Sequence, residues 1–466
     1  MVAASLSPAR RPGTGTIHAS AVRSACTNAD VAAHNRHDPY WGQLWAPGSQ
    51  ALWFTNAMAR RRSEGHARTV NKKLLPDDDE ALRVLTSNRG RAERLAAWGV
   101  LDSWRTASAE QIGAFTGSSL FLDPTYSTLA SSFALGLTDL GTFSHPMSRL
   151  GMDRNTVYRP ANSDVFEKII TPTLTWPEWA SVTGGQPWSS GGQYDRHNIL
   201  ATELALRAAE YLPVGAVLGE KFSTVELLAG TGLGKTVKNP DKRRADGVIV
   251  RGDGMRVAYE LTASASKGFE NKIRRWAQII SERPLETSGL TVLFIAAPHP
   301  DRSRHSSADP RHEIYRRMSQ ILREFPGTGP DSPAARIGIA HWEEYFPGEH
   351  QFSEQFFSLA ADFALGAGTG KDRWVQKNLL GDYAFTPWET FDATAVTDNA
   401  PLLAATPHWL RTGSHTHLIG SPMGRANTGV PHPAPARPEL VKGRPLGAAV
   451  GNGGRAKLPP RLGIEG

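Results

Sequence analysis

Two acidic residues stand where a β-hairpin brings them together. Asp246 lies in "RRADGVIV" and Glu260 in "VAYELT", with thirteen residues between them. The turn "RGDG" (251–254) folds "ADGVIV" and "RVAYELT" into a hairpin. That spacing carries both carboxylates to the same end of the pair, where they converge on one point. The plain alternative is that each is a surface acid, solvated or paired with Arg243 or Arg244. A second stretch also spells chemistry: "LAGTGLGKT" (228–236) matches a helicase-type phosphate loop, A-x-x-G-x-G-K-T, at Ala229, Gly232, Gly234, Lys235 and Thr236. Such a loop works by leading straight into a helix whose first amides hold the phosphates. Here "VKNPDKRRADG" follows, with Asn-Pro and a charge run in place of an amphipathic helix. No later apolar strand ends in an Asp-Glu pair suited to a divalent ion. A P-loop NTPase is therefore the weakest of three readings. Lys235, Lys238, Lys242, Arg243 and Arg244 read instead as contacts to DNA phosphates.

The elements that must position the two acids form the best-patterned part of the chain. The pattern predicts a helix over 195–212, a strand over 215–222, the hairpin, and a helix over 267–280. That second helix carries Phe269, Ile273, Trp276 and Ile280 on one face. A buried strand (290–297), a helix (311–325) and a strand (335–342) follow. Upstream, residues 80–160 read as three helices and a wing, a winged helix-turn-helix. The first helix covers 91–106. The second starts at a capping box, Ser108 with Gln111, and stops at Gly117. The third runs through "DPTYSTLASSFALGLTDLG" (123–141), with Asp123 as its cap, Pro124 in its first turn, and Leu129 and Phe133 inward. In such a module the third helix enters the major groove, so Tyr126, Ser127, Thr128 and Ser131 are expected to face outward. None is Arg, Lys, Asn or Gln, the side chains suited to bidentate base reading. Docking through the backbone is expected, with Arg91, Arg94, Arg105, Arg149, Arg154 and Arg159 on phosphates. The competing reading is a helical trio used for packing.

The order helix, three strands, helix, strand is that of the PD-(D/E)XK nucleases. In addition, "RHNILATEL", "RRADGVIVRGDGMRVAYELT", "NKIRRWAQII" and "LTVLFIAA" resemble the replication-relaxation-like proteins of actinobacterial plasmids, phages and integrative elements. The resemblance covers roughly residues 85–350. It implies an α/β, multi-domain chain: an N-terminal winged helix-turn-helix (80–160), a connector (161–194) and a restriction-endonuclease-like αβββαβ domain (195–350). It also implies DNA binding in the replication or maintenance of a mobile element. In the nuclease pattern Asp246 and Glu260 hold Mg²⁺, which activates water and steadies the pentavalent phosphate. The expected "PD" is Ala245-Asp246, and the lysine expected two residues after the Glu is Thr262. Lys272, about a turn and a half into the next helix, takes that lysine's part better than Lys267 does. Glu203 on the first helix is the expected third metal ligand, against an i,i+4 pair with Arg207, and His197 lies near the same site. The alternative function is a non-catalytic winged-helix DNA-binding or adaptor protein with a degenerate nuclease fold.

The bulk numbers agree with a DNA partner. The 466 residues carry a formal net charge of +7, with 40% hydrophobic and 21% charged content, a globular and basic chain. One cysteine, Cys26, excludes a disulfide framework and a Cys-based zinc site. The N-terminus has no apolar core of the kind a signal peptide needs, and no stretch approaches the ~20 apolar residues of a membrane span. The expectation is a cytoplasmic protein with no membrane contact; a homodimer is compatible with the pattern. Residues 1–79 read as a poorly patterned basic region. Residues 351–419 read as a C-terminal extension with an amphipathic helix at "SEQFFSLAADFAL" (353–365). Residues 420–466, rich in Gly, Pro and Arg, read as a disordered basic tail.

Overall fold

The computed structural model describes residues 15–45, 48–65, 70–144, 156–190, 195–223, 244–298, 310–327, 329–367, 370–388 and 404–411. The chain is mixed α/β. No helix among the described residues is long and apolar enough to cross a membrane.

The first part carries strands β1 (Ile17–His18), β2 (Gln50–Phe54), β3 (Ala107–Ser108), β4 (Thr138–Ser144) and β5 (Thr156–Pro160). Its helices are α1 (Asn56–Glu64), α2 (Asp78–Thr86), α3 (Arg91–Trp104), α4 (Ala109–Thr116) and α5 (Ser127–Ala134). Strands β2, β4, β5 and β3 form an antiparallel sheet in that order. The capping box that starts α4 is formed: the Ser108 side chain accepts from the Gln111 amide, and the Gln111 side chain accepts from the Ser108 amide. Gly117 ends the helix at φ 81°, a left-handed position that suits glycine.

The third helix differs from expectation. It covers only Ser127–Ala134, and Asp123 does not cap it; its carboxylate accepts from the Thr125 amide in the preceding turn. The expected helix over 123–141 stops because Gly136 takes φ 74° and Thr138 onward alternates as strand β4. Its orientation differs too: Thr128 and Ser131, expected to face outward, are buried. Helix α2 and the turn Lys72–Leu74 pack along α5. Asp77 caps α2, with Asp78, Asp79 and Glu80 in its first turn, while Ala81 and Leu85 point inward.

The larger sheet has seven strands: β6 (Val214–Gly219), β7 (Gly247–Arg251), β8 (Arg256–Thr262), β9 (Leu290–Ala296), β10 (Ile337–His341), β12 (Ala360–Phe363) and β13 (Val375–Asn378). The short β11 (Gln351–Phe352) pairs with β1. Strands β8, β9 and β10 are parallel; every other neighbouring pair is antiparallel. Period-2 alternation divides the strands between two cores. Val248, Val250, Ala258, Val292, Phe294, Ile337 and Ile339 face one side. Ile249, Val257, Tyr259, Leu293, Ile295, Ala361 and Phe363 face the other.

Both faces are covered, as parallel strands require. Helix α6 (Trp176–Thr183) lies in the segment read as a connector, starts at a Thr175–Glu178 capping box and buries Trp179 and Val182. Helix α7 (Asp195–Tyr211) packs on β6, β7 and α4. On the opposite face lies α8 (Lys267–Ser281), capped by Ser266, with Phe269, Ile273, Trp276 and Ile280 buried as the spacing predicts. Helix α9 (Pro310–Leu322) packs beside it. Residues 353–365 are not one amphipathic helix. The helix covers Glu354–Ser358, Leu359 turns left-handed at φ 45°, and the rest is strand β12. There Ala361 and Phe363 face one core, while Asp362 on the other side accepts a hydrogen bond from the Tyr315 hydroxyl.

Residues near the N-terminus are built into this body. Ala19, Val31, Ala32 and Ala33 are buried, and Arg36 and Asp38 reach the middle of α7. Arg36 meets Glu203 at 3.1 Å and Glu210 at 2.9 Å, while Arg207 meets Glu203 at 3.0 Å and Asp38 at 2.8 Å. All five side chains are 1% exposed or less. Burial opposes the charge on Glu203, but Arg36 and Arg207 hold its carboxyl below the usual range. Removing one member leaves uncompensated buried charge. Glu203→Ala is expected to lower stability by about 3–5 kcal/mol, the usual cost of breaking a buried ion pair. A thermal or denaturant unfolding midpoint equal to that of the wild type would contradict this.

Candidate active site

The hairpin brings the two acids to one place. Asp246 stands one step beyond the Gly247–Tyr259 pair, and its amide donates to the Tyr259 carbonyl at 3.0 Å. By parity with Val248 and Ala258, both Asp246 and Glu260 face α8. Gly247 is needed here, because a Cβ at that position would lie 2.1 Å from the Tyr259 hydroxyl oxygen. That hydroxyl passes the glycine and donates to the Ala201 carbonyl of α7 at 2.9 Å, fixing helix against hairpin.

Helix α8 supplies the cation. Lys272 Nζ lies 2.5 Å from Glu260 Oε2 and 3.9 Å from Asp246 Oδ1. One turn on, Trp276 donates its indole N–H to Glu260 Oε1 at 2.8 Å. Residues i and i+4 of one helix thus hold the two oxygens of one carboxylate. On the other side, Asp246 Oδ2 accepts from the Leu261 amide at 2.7 Å and lies 2.8 Å from His197 Nε2 at the start of α7. The cluster is open on one side: the Lys272 and His197 side chains are 39% and 31% exposed, Glu260 only 2%.

The two carboxyls differ in charge. Burial raises the pKa of both. At Asp246 the charges of His197 and Lys272, with the hydrogen bonds of His197 and of the Leu261 amide, outweigh it and hold the carboxyl far below its ordinary value. At Glu260 burial, reinforced by the Asp246 charge, prevails over Lys272 and pushes the carboxyl up to about 7. Lys272 is driven above its ordinary value: burial opposes the charge, but Asp246 and Glu260 outweigh it. Glu220, beyond the end of β6, adds to the negative field on Lys272.

Asp246, Glu260 and Lys272 are therefore together, and His197 joins them. Glu203 does not; its carboxylate is committed to Arg36, Arg207 and Gln111 inside the core. Of the residues expected to touch DNA, Ser127 is exposed and Tyr126 half-buried, edge-on to Phe121 at 5.2 Å. Thr128 is buried, and Arg244 is half-buried beside Lys221. Arg149, Arg154, Arg243 and the "LAGTGLGKT" loop lie outside the described residues. Of the other arginines assigned to phosphates, Arg105 is buried and three are engaged within the protein. Arg91 pairs with Glu178 at 2.6 Å, Arg94 donates to backbone carbonyls, and Arg159 pairs with Asp139 at 3.1 Å and lies over the Trp53 ring. The sequence reading missed Trp276 as a polar partner, because an indole on an apolar helix face reads as core. The i,i+4 spacing from Lys272 is the signal that identifies it.

Among the described residues no group of three or more His, Cys, Asp or Glu side chains is arranged to hold a metal ion. The donors present are nevertheless suited to Mg²⁺, which binds through one or two carboxylates and takes its remaining ligands from water and substrate phosphate. Among the described residues Asp246 Oδ1 has only the ammonium at 3.9 Å, and Glu260 Oε2 faces the same ammonium. Comparison with protein-family models, with curated proteins and with solved structures finds no match.

The raised pKa of Glu260 fixes the sign of a stability effect. Between an unfolded glutamate's value of about 4.3 and the folded value of about 7, the native state holds a proton that the unfolded state has released. Stability from this group is complete below about 4.3 and is lost as pH rises to about 7. Glu260→Gln, which mimics the protonated form, is expected to gain stability relative to wild type as pH rises through that window. Parallel unfolding midpoints for the two proteins across the window would contradict the assignment.

Proposed function

We propose that this chain is a DNA-binding protein of mobile-element replication or maintenance, and that residues 195–350 form a restriction-endonuclease-like domain hydrolysing phosphodiester bonds with Mg²⁺. The observation that carries the proposal is the meeting of Asp246 and Glu260 from the hairpin with Lys272 from the following helix. Lys272 fills the place left by Thr262, where the nuclease pattern has its lysine. Bound Mg²⁺ would supply Lewis-acid activation of water and of the phosphate. Asp246 and Glu260 would hold it. Lys272 would stabilise the negative charge that develops on the phosphate, while His197 and the Leu261 amide keep Asp246 ionised and in place. Trp276 orients Glu260 and excludes water from its buried side.

The sequence resemblance to replication-relaxation-like proteins supports the DNA context, and so does the order α3–β3–α4–α5–β4–β5, the order of a winged helix. The alternative is a non-catalytic DNA-binding or adaptor protein with a degenerate nuclease fold. It is favoured by one observation: among the described residues two carboxylates converge, and Glu203 is engaged elsewhere.

Cleavage of supercoiled plasmid in Mg²⁺ or Mn²⁺ separates the two. The nuclease reading expects nicking by the wild type and a loss of about a hundredfold or more in Asp246→Ala, Glu260→Ala and Lys272→Ala, the scale of losing a charge-stabilising group. Absence of cleavage by the wild type in either metal would remove the enzyme and leave the binding protein.

A further inference from the structure

Helix α8 has a second functional face beside the one that carries Lys272. A groove of about 530 Å³ runs along its solvent side, lined by Asn271, Arg274, Arg275, Gln278 and, from the turn after α9, Phe325. Arg275 is three residues beyond Lys272, so the two are neighbours on the helix surface. Arg275 thus stands between Lys272 and the rest of the groove on the helix surface.

The cations of this surface fall into two groups. Arg274 is held by Glu270 at 3.6 Å and by Glu324 at 2.9 Å. Arg316 and Arg317 are held by Glu313, and Arg317 also by Glu270. Arg275 is exposed and makes no ion pair or hydrogen bond among the described residues, and the same holds of Lys267 at the start of the helix. The acids of the surface are neutralised by their arginines, whereas Arg275 keeps its full charge for an external anion. Asn271 is an exposed amide able to donate to phosphate or sugar oxygens, while the exposed Gln278 amide donates to Glu282 at 3.4 Å. Phe325 is half-buried and offers a ring on which an unpaired base can stack.

We infer that this groove is the track of a single DNA strand passing the Asp246–Glu260–Lys272 site, with Arg275 on a backbone phosphate and Phe325 under an unpaired base. The inference rests on the phosphodiester reading of that site. It makes the preferred substrate DNA with an unpaired segment, and it assigns positioning, not catalysis, to Arg275 and Phe325.

The test is fluorescence anisotropy of a labelled single-stranded oligonucleotide and its duplex with the full chain in EDTA, over a range of salt. Arg275→Glu is expected to weaken binding about tenfold at low salt and to reduce the salt slope by about one. Phe325→Leu, which keeps an apolar side chain against the core, is expected to weaken single-strand binding several-fold and leave duplex binding unchanged. Binding by Arg275→Glu equal to wild type at every salt concentration overturns the inference, whatever the plasmid assay shows. Weakened binding by Arg275→Glu in a wild type that does not cleave upholds the groove and removes only the cleavage reading.

Discussion

The structure depends on a small set of charges sealed inside it. Two guanidinium groups, Arg36 and Arg207, and three carboxylates, Asp38, Glu203 and Glu210, meet with almost no water. Taking an ion out of water costs several kcal/mol, an amount recovered only with close partners in good geometry. Glu203 has both arginines and the Gln111 amide, so none of these elements can rotate alone. The N-terminal segment, α4 and α7 are fixed together as a consequence. Helix α7 in turn fixes the hairpin, because the Ala201 carbonyl receives the Tyr259 hydroxyl and His197 reaches Asp246. The geometry at the open edge of the acid cluster is thus set by a charge network placed deeper in the same helix.

At that edge the same physics is left unfinished. Two carboxylates share one lysine, and among the described residues the drier of them has no second full charge against it. Asp246 collects a backbone amide, a histidine and part of the ammonium; Glu260 has the ammonium and an indole. Close carboxylates in a low-dielectric site cannot both ionise at ordinary cost, which is why the shifts go in opposite directions. A core with this charge deficit would be unstable, but the half-exposed Lys272 and His197 show that the cluster opens to water. Local charge that is incompletely balanced by the protein and reachable from outside is what a cation or a phosphate substrate can complete.

Much of this was legible in the sequence because it follows from periodicity. Alternation in "GVIV" and "VAYELT" fixes which side chains face α8, and the turn between them fixes the register, so the approach of Asp246 to Glu260 follows. The apolar stripe of α8 places Lys272 at the edge of the buried face. What escaped was decided by contacts distant in sequence. Glu203 could be an inward metal ligand or an inward ion-pair partner, and the partner that decides is Arg36, 167 residues away. "SEQFFSLAADFAL" satisfies a helical period, but its second half gains more as a strand paired between β10 and β13, and Leu359 accepts a left-handed backbone to make the change. The N-terminal segment has no regular period to read; 3₁₀ turns and single buried residues hold it in place.

The burial of α5 changes where a nucleic acid can be held. A helix reads a groove only through a face in contact with water, and from Thr128 to Ala134 every residue of α5 is buried. The order α3–β3–α4–α5–β4–β5 is thus present without its usual consequence, since α2 and the Lys72–Leu74 turn occupy the surface that DNA would use. Displacing α2 would expose Leu85 and the apolar side of α5, a cost proportional to the area uncovered. The alternative surface needs no rearrangement. Arg275 and Lys267 are already exposed, and unpaired among the described residues, on the helix that carries Lys272, so charge for a phosphate backbone and the candidate site lie on one rigid element. Under the proposed function, the balance of physical cost favours a strand held along α8 over one read by α5.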